Sequence, residues 1–230
     1  MKTLLKTAVP SLLISTFLFT LPVWGVDKAK DEETLRNAAT VLQAMLSSKD
    51  VPAGVVAKAD CIIVLPGVKK FAVGLGGTGG RGPMVCREGK TFSGKWSAPA
   101  MYTIGGASAG FQLGGTSTDF VLLIMASSAV DKVLDSKVKV GSDATAAAGP
   151  GATTTGSMGG ADILTYARAK GLFAGVSLNG ASLDPDKDAN QRLYGQAMSA
   201  RDIVTGTTKP TSGGADLVSL LNTKVPKHEQ

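Results

Sequence analysis

Few residues of this 230-residue chain are equipped for covalent chemistry, and their spacing narrows the field. The one histidine, His228, lies in a polar C-terminal tail, which argues against a His-dependent triad or a histidine-rich metal site. Cys61 and Cys86 are the only thiols, and a nucleophilic cysteine wants a base that no other histidine supplies. No Gly-x-Ser-x-Gly elbow precedes a helical pattern, which disfavours a hydrolase. Asp184, Asp186 and Asp188 alternate as calcium ligands do, but the glycine and closing glutamate of such a loop are missing, so helix capping is the better reading. GLGGTGGRG (Gly74 to Gly82) satisfies a loose G-x-G-x-x-G, yet it lacks the lysine and Ser/Thr of a phosphate loop and no helix pattern follows it. It reads as hairpin glycine. Neither a cofactor nor a metal is expected.

What remains is charge. Lys69 and Lys70 leave a Pro-Gly turn, Arg81 sits in the glycine hairpin, and Arg168 and Lys170 project on one face of a strand. Brought together, these five would form a lipid-binding surface that pairs with headgroup phosphates, each charge worth about 1 kcal/mol near an anionic bilayer and weakened by salt. Scattered, they are an ordinary solvated set. Trp96, Tyr102 and Phe173 could serve as interfacial anchors, although core packing is the commoner fate of aromatics.

The first 25 residues, MKTLLKTAVPSLLISTFLFTLPVWG, place Lys2 and Lys6 ahead of an apolar run from Leu12 to Leu21 and end in small residues. This is the pattern of a secretory signal peptide, with a mature start near Val26; the run is short for the ~20 residues of an uncleaved spanning anchor. Losing Lys2 and Lys6 takes the formal charge from +6 to +4, mildly basic and below a nucleic-acid-type charge. The chain is therefore expected to be exported, periplasmic or extracellular. In an oxidising compartment Cys61 and Cys86 read as a disulfide, with two buried free thiols as the alternative.

These residues must be held by one domain, residues 26–230, of which the core is about 33–222. The 29 glycines exceed the roughly 16 that average usage would give, without a collagen period. From Asp31, Leu35, Ala38, Leu42, Met45 and Leu46 fall on one helical stripe, and a short helix follows around Pro52 to Ala59. The period then becomes two. Cys61 to Leu65, Phe71 to Leu75, Val85 to Arg87, Tyr102 to Gly114, Asp119 to Ala126, Val138 to Val140 and two segments within Ile163 to Leu178 read as strands. In the last of these Leu172, Ala174, Val176 and Leu178 share a face. Gly76 to Met84 reads as the turn of a hairpin, and Gly141 to Gly160 as small-residue strand and turn or as a linker. A short helix after Ser127 or Ser128 interrupts the strands, and the last third is helical over Asp188–Tyr194, Ala200–Val204 and Gly214–Leu221. The sum is an α+β fold: a curved, Gly-rich antiparallel sheet or small barrel of about six to eight strands, flanked by N- and C-terminal helices.

Seven collinear segments carry a resemblance: ADCIIVLPGVKKFAVGLGGTGGRGPMVCR (59–87), WSAP (96–99), GGASAGFQLGG (105–115), DFVLLIM (119–125), AAAGP (146–150), YARAKGLFAGVSLNG (166–180) and DANQRLYG (188–195). In order and content they resemble the SYLF domain, also called Ysc84 or DUF500. The resemblance implies a non-enzymatic lipid-binding or scaffolding module; eukaryotic members are associated with phosphoinositide membranes and, in fungi, with actin. Combined with export, it leads us to expect an anionic lipid or membrane surface as partner, no nucleic acid, and actin as an unlikely partner. The alternative is an envelope module that binds protein or polysaccharide and has no lipid affinity.

Overall fold

The computed structural model describes residues 23–73, 75–109, 116–151 and 160–228. The expected signal peptide falls almost wholly on residues 1–22, outside the described ones. Helix α1 (Val23–Ser47) begins eight residues before the predicted Asp31, because Asp27, Lys28, Ala29 and Lys30 are compatible with helix and Lys30 pairs with Asp27 one turn earlier at 3.5 Å. Leu35, Ala38, Val41, Leu42 and Met45 form its buried stripe. The short α2 (Ala53–Ala57) follows Pro52, whose fixed φ suits a helix entry. No described helix is long and apolar enough to cross a membrane.

Nine strands, counted among the described residues, form one sheet that curls into a half-barrel. They are β1 (Cys61–Val73), β2 (Leu75–Cys86), β3 (Ala100–Ala109), β4 (Thr116–Ile124), β5 (Val138–Lys139), β6 (Ala146–Ala148), β7 (Ile163–Ala169), β8 (Leu172–Gly175) and β9 (Ser182–Pro185), in the order β5-β9-β3-β2-β1-β4-β7-β6, with β8 also on β7. All pairings are antiparallel except β6 with β7, which is parallel. The α+β architecture expected from sequence is present, and the linker alternative for 141–160 gives way to β6, although 152–159 lie outside the described residues.

β1 is central, and its run Cys61-Ile-Ile-Val-Leu65 is fully buried on both faces. Ile63 and Leu65 face a layer containing α3 (Ser127–Asp135) and α5 (Ala200–Thr205). Ile62 and Val64 face α1 and α6 (Ser212–Lys224), with Leu217 and Leu221 of α6 completing that layer. Fully burying each such side chain contributes about 1.5–3 kcal/mol.

The glycine segment departs from the reading above. Gly76 to Met84 is not a turn but the body of β2, paired with β1 on one side and β3 on the other. Close approach explains it: a Cβ on Gly82 would collide with the Val64 carbonyl of β1, so only glycine lets these strands cross at this curvature. In β8 Leu172, 66% exposed, and Ala174 share the outer face while Phe173 points inward.

Two long-range links close the fold. The N-cap of α6, Thr211, makes no side-chain bond to its own helix; instead Glu32 of α1 accepts from the Thr211 hydroxyl at 3.0 Å and from the Gly213 N–H. Cys61 and Cys86, direct register partners across β1 and β2, are buried and disulfide-bonded.

Candidate binding site

Alternation along the strands decides where the cations go. With Val64, Val85, Val121 and Tyr166 facing α1, the positions beyond them in phase, Arg81, Asp119 and Arg168, face α1 as well. The bulge at Pro66-Gly67 resets β1 so that Val68 faces the opposite layer and Lys69 turns to the α1 side. Lys69, Arg81 and Arg168 therefore line one cavity of about 440 Å³, together with Asp119 and with Thr34, Asn37 and Thr40 of α1.

The cavity is less positive than its three cations suggest. Asp119 takes the Arg168 guanidinium at 2.6 Å from Nη2 and 2.8 Å from Nε, and its other oxygen accepts the Gly67 N–H at 2.8 Å, which pins the bulge. Arg81 Nη2 lies 2.7 Å from Asp31, a fully buried carboxylate on α1. Asp31 also holds Arg192 of α4 (Lys187–Tyr194), with Nε at 2.7 Å and Nη2 at 3.3 Å. These contacts help keep the Arg192 guanidinium above its ordinary pKa. Lys69 is exposed at the rim. What the arrangement offers a ligand is the Lys69 ammonium, which has no carboxylate partner among the described residues, two guanidinium edges already half-engaged, and three hydrogen-bonding side chains from α1, which is a binding chemistry.

The other predicted residues do not join them. Lys170 adopts φ +50° in the exposed turn between β7 and β8, outside the cavity. Lys70 is opposite Thr78 and Thr116 in register, but its side chain lies outside the described residues. Trp96, Tyr102 and Phe173 are buried, so none is an interfacial anchor. Asp186 caps α4 by accepting the Ala189 N–H at 3.0 Å, as the capping reading required. Among the described residues no three His, Cys, Asp or Glu side chains cluster as metal ligands.

One polar cluster was not legible in the sequence. Asp60, nearly buried, accepts from Ser127 Oγ at 2.8 Å and faces His228 Nε2 at 3.2 Å, at the wall of a cavity of about 700 Å³. Burial raises its pKa, partly offset by the Ser127 hydroxyl and the nearby His228 and Arg87. Serine and histidine both address the acid and not each other, which is not the relay of a nucleophile and its base. The tail that brings His228 here is clamped by the buried Arg87. Its guanidinium lies 4.4 Å over Trp96 and donates to the carbonyls of Val225 and Lys227 at 3.0 and 2.7 Å. No local pattern announces a contact between residues 138–140 positions apart.

Comparison with known proteins gives the arrangement a context. Residues 105–224 match the family model described as "Ysc84: Las17-binding protein actin regulator". The SH3 domain-containing YSC84-like protein 1 of Homo sapiens is 32% identical over 205 residues, which cover 87% of this chain and 59% of that protein. An SH3 domain-containing protein of Schizosaccharomyces pombe is 30% identical over 80% of this chain and 43% of its own length. LAS seventeen-binding protein 3 of Saccharomyces cerevisiae is 32% identical over 64% of this chain and 33% of its own. The chain thus spans little more than half the length of the human relative and less than half of the two yeast ones. These descriptions correct one expectation: actin was set aside as a partner on the ground of export, whereas the matching family is described as an actin regulator and a relative is named for binding Las17. With a family model matching 120 of 230 residues and a relative 32% identical over 87% of the chain, the chain belongs to the Ysc84 (SYLF) family.

Proposed function

We propose that this chain is an exported, non-enzymatic binding module that meets anionic lipid headgroups with the surface around Lys69, Arg81 and Arg168. The observation that carries the reading is that three cations from separate strands line one cavity beside α1. Family members named as binding and regulatory proteins support the non-enzymatic part. Because Arg81 and Arg168 already have carboxylate partners, the attraction is modest: about 1 kcal/mol for Lys69, with a smaller share from each paired arginine.

Co-sedimentation of the chain with phosphatidylserine-containing and purely zwitterionic vesicles tests this. Partition to the anionic vesicles should fall as salt rises and drop at least fivefold in Lys69→Glu, an exposed position where folding is retained. Absence of partition at low salt, or partition indifferent to salt and to Lys69→Glu, refutes it. Export is tested by the mass of the chain recovered outside the cytoplasm, which should correspond to a start near Val26.

A second reading, a partner among actin-assembly proteins, is favoured by the family description and by the Las17-binding relative. Co-pelleting with actin filaments, combined with absence of vesicle partition, would select it.

A further inference from the structure

Helix α5 and the two links that flank it, 195–199 and 206–211, wall a cavity of about 610 Å³ that shares no lining residue with the Lys69 site. Its walls are fixed before any ligand arrives. At the start of α5, Ser199 Oγ accepts the Asp202 N–H at 3.0 Å, while Asp202 Oδ2 accepts from the Ser199 hydroxyl at 2.7 Å and from its N–H at 3.3 Å. At the end of α5, the Gly206 N–H donates to the Asp202 carbonyl at 3.1 Å, and a Cβ on Gly206 would run into that same carbonyl. The Tyr194 hydroxyl donates to the Pro99 carbonyl at 2.6 Å, which anchors one apolar wall, and Met198, packed on the core, supplies the other. The polar lining is mostly unspent. Thr205 donates its hydroxyl to the Arg201 carbonyl at 2.8 Å, but the hydroxyls of Thr207 and Thr208, the Gln196 carbonyl oxygen and the second oxygen of Asp202 have no partner among the described residues. The Gln196 amide nitrogen meets only Met198 Sδ at 3.4 Å, a weak acceptor.

We infer that this cavity binds a neutral saccharide. A sugar ring offers hydroxyls that both donate and accept, set around an apolar C–H face, and the lining has the complement of each. Gln196 and Lys209 donate, Asp202 and the Gln196 carbonyl accept, Thr207 and Thr208 do either, and Tyr194 and Met198 supply the apolar surface. Charge argues for a neutral ligand: the one acid of the lining, Asp202, is offset by its one base, Lys209. An extended peptide fits less well, because it is read by donors and acceptors in a row along a strand edge, whereas these groups converge from α4, α5 and two links, none of which is a strand. The site is separate from the Lys69 cavity and goes beyond the headgroup reading.

The test is a nuclear magnetic resonance titration of the full chain with maltotriose and, separately, with N,N′,N″-triacetylchitotriose, read at the Met198 methyl and at the Thr207 and Thr208 amides. For at least one of the two sugars the expected result is a saturable shift with a Kd on the order of 1 mM, as one bound ring would give. Thr207→Val/Thr208→Val keeps the shape of an exposed link and removes both hydroxyls, so binding should weaken at least tenfold, from about fivefold for each. Gln196→Ala, also exposed, should weaken it about fivefold. Lys69→Glu should leave the saccharide affinity unchanged while lowering vesicle partition, so the two proposals fail separately. Three results each overturn the inference: no saturable shift with either sugar, binding indifferent to Thr207→Val/Thr208→Val, or an equal response to glycerol at matched hydroxyl concentration. Any of them would leave these groups as an ordinary solvated surface.

Discussion

Asp31 is the position where one atom's worth of chemistry should matter most. It is fully buried on α1 and joins Arg81 of β2 and Arg192 of α4, each with a nitrogen 2.7 Å from one carboxylate oxygen. Asp31→Asn keeps the volume but removes the charge, leaves one acceptor for two guanidinium groups, and turns an amide NH₂ toward a cation. Removing one member of a buried ion pair costs about 3–5 kcal/mol. Here the side chains left behind are 32% and 19% exposed and regain some water, which places the cost near the lower bound, about 3 kcal/mol. With a urea slope of about 2 kcal/mol per molar, the midpoint of unfolding should fall by about 1.5 M at unchanged slope. Circular dichroism in urea at pH 7 measures it. A second readout follows from the same geometry. In the fraction that remains folded, Arg81 is released toward the cavity, so partition to anionic vesicles should rise by up to about fivefold. A midpoint shift below about 0.5 M would show that Asp31 is not the junction described, and weaker vesicle partition by the folded variant would show that its ion pair does not hold Arg81 back.

Three further outcomes are expected. Cys61→Ala/Cys86→Ala releases a cross-link over 25 residues and should cost about 2–4 kcal/mol, seen as a lowered urea midpoint that matches the reduced wild type. Gly82→Ala drives a methyl into the Val64 carbonyl and should destabilise by about 2–3 kcal/mol, while the same change at exposed Gly89 should cost less despite its φ of +90°, because nothing stands within 4 Å. Asp60→Asn tests the buried acid through pH. Native Asp60 holds its proton more tightly than the ordinary carboxylate value of 3.8, so its contribution to stability is present at low pH and declines as pH rises from about 4 through the raised value. The stability of the wild type relative to Asp60→Asn should therefore fall across that window in parallel urea titrations, and a relative gain would contradict the assignment.

The strands were legible where side chains alternate. Cys61 to Leu65 announced a buried strand by its composition, Val138 and Val140 turned in while Lys139 turned out, and the C-terminal helices fell within one to three residues of their predicted spans. The segment Gly76 to Gly82 was not legible, because glycine signals a turn locally and a close strand crossing only when the neighbouring carbonyl of Val64 is known. Arg81 was misplaced for the same reason: it is a mid-strand residue, not part of a hairpin tip. The site was half visible. Strand parity put Arg168 on a definite face, but the acids that compensate the cations come from positions 49 to 161 residues away, and no periodicity reports such distances. Leu172 and Ala174 do share a face, but alternation alone does not say which face is the inner one, and Phe173 took it.

The cap that Glu32 places on α6 ties together residues 181 positions apart. At synthesis rates of about 5–20 residues per second, roughly 10–40 s pass between their emergence from the ribosome. Throughout that interval the leucine and methionine stripe of α1 has a sheet still under construction and no α6 to share it with. A nascent chain arrested before Thr211 should consequently be sticky and protease-sensitive, and should become resistant once α6 has emerged and taken up its Glu32 cap.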